Sequence, residues 1–298
     1  SQTGNTYGGL SYCFPYSNTS NVGLSLIKSD FAISGEFSDL ELKGGLTSFS
    51  GFFSNTSTVH SQATYEKRQQ LAFSYKTSEV TSDAFPSVFN SDLQYITLHG
   101  TYKRHYFDKA NTQHIFGLRP AMGFIEKDKN TDISDEFFML GADYQLTIFN
   151  WASLITESNY LHVRIKGQWS ENILPDPERF STTGPAINRG YKLGIFSGDI
   201  GYNSTIEQVF LWKEDEIWGS YRLKLKASLF FDYSYGELNT EESFHVSFSS
   251  VGITSHGTID KKYSLSTSIG IPIDNTSSNL EEVDSTSPII YTSVKIHF

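Results

Sequence analysis

One cysteine, Cys13, occurs in 298 residues, so neither an internal disulfide nor a cysteine metal cluster can form within the chain, and Cys13 reads as a small strand residue. No run approaches the about 18–20 apolar residues of a spanning helix. Cations are scarce. The 23 Lys and Arg against 33 Asp and Glu leave a formal charge of -10, which argues against a nucleic-acid surface, where cations replace condensed counterions. The histidines are scattered, with no helical His-Glu pair for a metal and no Gly-x-Ser-x-Gly elbow. Catalysis, a metal and a cofactor therefore have no visible basis, and an enzyme is not expected. A starting Met and a signal peptide are also missing, so an exported protein would be seen here without its leader.

What is present is aromatic and polar. Hydrophobic residues make up 38% and aromatic residues 15%, with Ser, Thr, Gly and Asn filling much of the rest, a balance suited to many strands and polar loops. Period-two segments alternate with Gly, Asn, Asp and Ser punctuation. Thirteen strands are expected, with cores near 5–14, 22–31, 40–53, 62–77, 93–107, 113–125, 136–149, 158–169, 201–212, 218–235, 244–254, 263–273 and 289–298.

The clearest alternation runs from Tyr221 to Asp232. Tyr221, Leu223, Leu225, Ala227, Leu229 and Phe231 share one face, while Arg222, Lys224, Lys226, Ser228, Phe230 and Asp232 share the other. A cation facing lipid near the midplane costs about 2–4 kcal/mol, so these cations are expected to face a watery lumen. A soluble sandwich would reverse the faces, and alternation alone does not separate the two. Strand length and the terminal aromatic Phe298 favour the barrel. The fold expected is thus all-β, a transmembrane antiparallel β-barrel over 1–298, because only a closed sheet pairs all its backbone groups in lipid. Acidic residues crowd the turns at Glu214-Asp215-Glu216, Glu241-Glu242 and Glu281-Glu282-Val283-Asp284, an acidic rim around a basic interior. Barrels of this kind begin and end in the periplasm, so the last strand runs inward and the loop around Arg189 is extracellular. The first segment then also runs inward. One or three strands would precede residue 1, or a boundary between 40 and 77 is misplaced.

Between Leu174 and Glu207 the chain carries, in order, Leu174-Pro175, Glu178, Phe180, Gly184, Arg189-Gly190-Tyr191, Gly198-Asp199, Gly201-Tyr202 and Glu207. This ordered set resembles the two-partner secretion translocators, the TpsB family, whose barrel holds Leu-Pro-x-x-Glu-x-Phe, then Gly, Val-Arg-Gly-Tyr/Phe, Gly-Asp-x-Gly-Tyr and a Glu on the next strand. The resemblance is firm over the C-terminal half. In the first half it consists of barrel patterning and a Ser-Tyr-x-x-Pro turn at Ser11 to Pro15. Two departures stand out. Asn188 replaces the usual Val, and Phe230-Phe231-Asp232-Tyr233-Ser234 lacks the glycine of the family's aromatic-x-Asp-x-Gly wall motif. The family's POTRA modules and plug helix are not in this sequence, and three further strands would complete its sixteen.

The resemblance implies that the loop at 173–200 folds back into the barrel and that Arg189 pairs there with Asp232. Gly184, Gly190, Gly194 and Gly198 would permit the tight turns this needs. The bland reading makes Arg189 a solvated loop cation. The lumen-facing Arg119, Arg164, Lys166, Arg222, Lys224, Lys226 and Lys295 also have two readings: guidance for an extended polypeptide, or structural pairing with Asp143, Asp232 and Glu207. By resemblance, the function is secretion of a large partner exoprotein across the bacterial outer membrane without ATP. Its other partners would be membrane lipid and, through the last strand and Phe298, the barrel-assembly machinery, with no nucleic acid. A BamA-like barrel insertase and a passive porin or receptor remain as alternatives.

Overall fold

The computed structural model describes residues 6–32, 42–60, 64–82, 91–108, 111–127, 135–150, 159–211, 215–217, 221–240, 244–260, 262–277 and 287–296. Eight strands precede the long loop: β1 (Thr6–Pro15), β2 (Ser20–Ala32), β3 (Leu42–His60), β4 (Thr64–Ser82), β5 (Ser91–Phe107), β6 (Thr112–Lys127), β7 (Glu136–Phe149) and β8 (Asn159–Ser170). The loop carries a single 3-10 turn (Asp176–Glu178) and the two-residue strands β9 (Phe180–Ser181) and β10 (Ser197–Gly198), which pair with each other. After it come β11 (Ile200–Leu211), the short β12 (Asp215–Ile217), β13 (Tyr221–Leu238), β14 (Phe244–Ile259), β15 (Tyr263–Ser277) and β16 (Ile289–Ile296). Each wall strand pairs antiparallel with the next, in the order β1 to β8, β11, β13 to β16. Among the described residues thirteen strands follow one another along the wall, with β12 paired to β13 off that path.

The faces of this sheet invert the pattern of a soluble protein. Phe49, Leu71, Phe73, Ile165, Ile206, Leu229, Ile253 and Ile290 are exposed on the outer side, whereas Ser48, Ser74, Thr97, Asn203, Thr205, Asp232 and Ser250 are buried on the inner side. A Leu- or Phe-sized side chain left in water forgoes about 1.5–3 kcal/mol, so a continuous outer band of them calls for hydrocarbon. The alternation that set Ser228, Phe230 and Asp232 inward is the one observed, since these three are buried while Leu229 and Phe231 between them are exposed.

The wall curls. Loop residue Glu178 touches Lys76 on β4, and loop residue Tyr191 touches Tyr291 on β16. In a flat sheet those strands would lie nine steps apart, roughly 43 Å at about 4.8 Å per strand. A loop segment that also makes a tight turn at Gly184–Asn188 reaches both only if the sheet bends around it.

Three sequence expectations change. Ser11 to Pro15 form no turn: they stay in β1, where Pro15 takes the last position and needs no ladder donor, and the chain reverses at Ser17–Ser20. β3 and β4 are each 19 residues, longer than expected, because polar Ser, Thr and Asn continue the pairing beyond the apolar run. β13 begins at Tyr221, and the chain just before it contributes the separate strand β12. Phe298, and the acidic side chains expected at the turns, lie outside the residues whose side chains are described.

Candidate functional site

The loop between β8 and β11 lies against the inner face of the wall and is held at its tip by a buried ion pair. Arg189 donates from Nε to Asp232 Oδ2 at 2.9 Å and from Nη2 to Asp232 Oδ1 at 3.0 Å, a two-pronged contact. Its backbone N–H adds a third bond to Oδ2 at 3.1 Å. Nη1 reaches Thr254 Oγ1 on β14 at 3.2 Å and Glu207 Oε1 on β11 at 3.4 Å, so three wall strands converge on one side chain. The guanidinium also sits 3.4 Å from the centre of the Phe230 ring. Asp232 is fully buried and the Arg189 side chain is 9% exposed. Burial disfavours the charged guanidinium, but the hydrogen bonds and charge of Asp232, with Glu207 behind them, outweigh it and raise the Arg189 pKa.

The neighbours of Arg189 lock the backbone around it. Asn188 donates from Nδ2 to Ser234 Oγ at 3.2 Å and to the Phe248 carbonyl at 3.0 Å, and its Oδ1 accepts from Ser250 Oγ at 2.7 Å. The two departures from the family pattern, Asn188 and Ser234, thus meet each other: a hydroxyl where the pattern has glycine is satisfied by an amide where it has valine. Tyr191 packs on Phe248 with ring centres 4.8 Å apart, and its hydroxyl donates to the carbonyls of Ser249 and Asp274 at 3.2 and 2.8 Å. Tyr291 donates to the Tyr191 carbonyl at 2.6 Å.

The loop glycines divide into two kinds. Gly184 and Gly194 adopt positive φ, +120° and +78°. Gly190 and Gly198 do not turn; they allow contact, since a Cβ would fall 2.4 Å from Ser250 Cβ and 2.6 Å from the Glu237 carbonyl oxygen. The wall answers in kind. A Cβ at Gly270 would lie 2.2 Å from the Arg189 carbonyl oxygen, one at Gly236 would meet Thr182 and Phe196, and one at Gly201 would meet Phe180. Lone strand glycines are a sequence signal of close backbone approach, and Gly236 and Gly270 were open to that reading.

At the base of the loop, Asp199 gathers the two ends. Its Oδ1 accepts from the Leu174 N–H at 2.8 Å and from Arg179 Nε at 3.3 Å, and its Oδ2 accepts from the Asn239 N–H at 2.8 Å. Leu174 is fully buried among Leu93, Tyr95, Phe137 and Met139 of β5 and β7. Glu178 accepts from Lys76 Nζ and, at 3.1 Å, from the Tyr95 hydroxyl.

The remaining basic residues have separate places. Arg164 donates to the Ala186 carbonyl at 2.5 Å, Lys166 lies over the Phe180 ring at 5.7 Å, and Arg119 is 3.9 Å from Asp143. All three sit beside the loop or its wall. Lys226 lines a cavity of about 500 Å³ with His162, Glu207 and His256, Lys224 is exposed on β13, and Lys295 is exposed on β16. The Arg222 side chain is outside the described residues. Tyr202, grouped with the loop by sequence, faces outward instead, its ring 5.8 Å from Tyr233 and 5.6 Å from Tyr235.

A scan for protein-family models and a search of curated sequences return no match. Solved structures do resemble the chain. CdiB from Escherichia coli superposes with a TM-score of 0.72 at 14% identity, over 98% of this chain and 52% of that one. CdiB from Acinetobacter baumannii gives 0.63 at 15% identity, over 98% and 50%. BamA from Haemophilus ducreyi lacking POTRA domains 1-3 gives 0.61 at 12% identity, over 97% and 62%. The chain spans between half and two thirds of those chains. It has the fold they share, that of the antiparallel β-barrels of the outer membrane.

Proposed function

We propose that this chain is the barrel portion of an outer-membrane translocator that secretes a large partner exoprotein without ATP. The exported polypeptide would pass the lumen in extended form, with folding outside as the source of free energy. The loop is its conformational element, and the Arg189–Asp232 pair is the latch that sets the loop's resting position. The observation that carries this reading is the convergence of Asp232, Glu207 and Thr254 on one buried guanidinium at a loop tip. A passive pore has no use for so costly a device, since each buried charge must be fully compensated. The likeness to the two CdiB barrels supports the same reading.

The likeness to BamA favours a second reading, an insertase for other barrels. Secretion assays separate the two. Arg189→Ala and Asp232→Ala, introduced into the full-length protein, are expected to abolish export of its partner exoprotein while leaving barrel insertion and the levels of other outer-membrane proteins unchanged. Normal export by both variants removes the latch. A fall in the other barrels with exoprotein export intact favours the insertase.

A further inference from the structure

We infer that Glu178 is a second, releasable anchorage of the loop, on a stretch of wall remote from the Arg189 latch; this rests on the translocator reading. Its carboxylate accepts from Lys76 of β4 and Tyr95 of β5 through a single oxygen, Oε1. The tip eleven residues later is fastened to β11, β13 and β14. The loop between them is therefore a strut fixed at two walls, with β6, β7 and β8 intervening on the sheet.

The two ends are unequal. Asp232 uses both oxygens against three Arg189 donors, with side chains 0% and 9% exposed. At the other end one oxygen holds an ammonium and a phenol, with the Lys76 and Glu178 side chains 16% and 5% exposed. An ammonium on a four-carbon stem keeps more rotamer freedom than a planar guanidinium and rehydrates more readily. Fewer bonds to a more adaptable cation make Glu178 the end that lets go first. Its release frees the arm around 176–180 from the β4–β5 wall while Asp199 still holds the base and Asp232 the tip, opening lumen beside that wall for the exported chain. Glu178 is thus a positioning residue whose bond must break during transport.

The test uses the full-length protein with Cys13→Ser as background. Lys76→Cys with Glu178→Cys is bridged by a reducible bis-methanethiosulfonate reagent, whose length replaces the two long side chains. Bridged protein is expected to lose secretion and to regain it on reduction, while each single cysteine treated alike secretes to the same extent before and after reduction. Failure of the bridge to form, or full secretion with the bridge in place, overturns the proposal. A second arm needs no exoprotein: in planar bilayers Glu178→Gln and Lys76→Met are expected to raise single-channel conductance, and the exchange Glu178→Lys with Lys76→Glu to bring it back. Unchanged conductance in both single variants also overturns it. A protein whose Arg189→Ala variant exports normally but whose Glu178 variants change conductance has the strut without the latch, so the two readings fail separately.

Discussion

The tip and the base of the infolded loop are built on the same element, a fully buried aspartate that collects backbone N–H groups and an arginine, yet they are wired differently. Asp232 belongs to the wall and receives a two-pronged guanidinium plus that residue's own amide. Asp199 belongs to the loop itself and receives two backbone amides, from Leu174 and Asn239, with Arg179 a looser third at 3.3 Å that is shared with the exposed Asp176. Backbone amides are fixed by the fold, whereas a side-chain pair can part without unfolding anything. The base is therefore a clasp that shapes the loop, and under the proposed translocator function the tip is the contact that is made and broken.

Removing the aspartates should pull these roles apart. Asp232→Ala leaves the buried guanidinium with Glu207 as its one remaining carboxylate, a loss of up to about 3–5 kcal/mol for the docked tip, and is expected to expose 185–195 to added protease while the heat-modifiable mobility of the folded barrel stays as it was. Asp199→Ala leaves two amides unsatisfied at about 1–3 kcal/mol each, and here the refolding yield of the barrel should drop. Equal behaviour of the two variants in both assays would erase the distinction.

A steric version of the same contrast comes next. Gly270→Ala drives a methyl into the Arg189 carbonyl and should undock the tip by about 1–3 kcal/mol, read as protease sensitivity at the loop. Gly257→Ala meets only the end of a flexible Leu225 side chain and should do nothing. The smallest effect sharpens the tip itself. Asn188→Val deprives the buried Ser234 hydroxyl of a partner and should cost about 1 kcal/mol or somewhat more in loop protection. Adding Ser234→Gly should return only the Ser234 share of it, because the Phe248 carbonyl and the Ser250 hydroxyl lose Asn188 as well, and a second loss on top of the first would mean that the two residues do not act as a pair.

The wall was legible in the sequence because period two reports on one thing, the face of a residue, and the sheet obeys it from Leu225 to Asp232. The loop was legible through spaced glycines and the Arg-Gly-Tyr run. What alternation cannot say is which inward residues meet. Lys76 and Tyr95 lie about a hundred positions before Glu178 or somewhat less, and nothing local marks them as its partners. Nor does the order of a motif reveal that Gly201 faces in against Phe180 while Tyr202, its neighbour, faces out, although one step along a strand requires it. The turn assigned to Ser11–Pro15 failed for a related reason: a proline at the end of a strand gives up no ladder bond and so marks no reversal.

The most direct measurement of the central claim is the accessibility of the loop tip in intact cells. A cysteine placed at Ala186, which lines a small cavity with Arg164, Arg189 and Glu207, in a Cys13→Ser background and challenged with an impermeant maleimide too bulky to enter that space, should stay unmodified in the resting protein and react once Asp232→Ala is added. Rapid labelling that is the same with and without the aspartate would contradict an infolded loop held by that carboxylate.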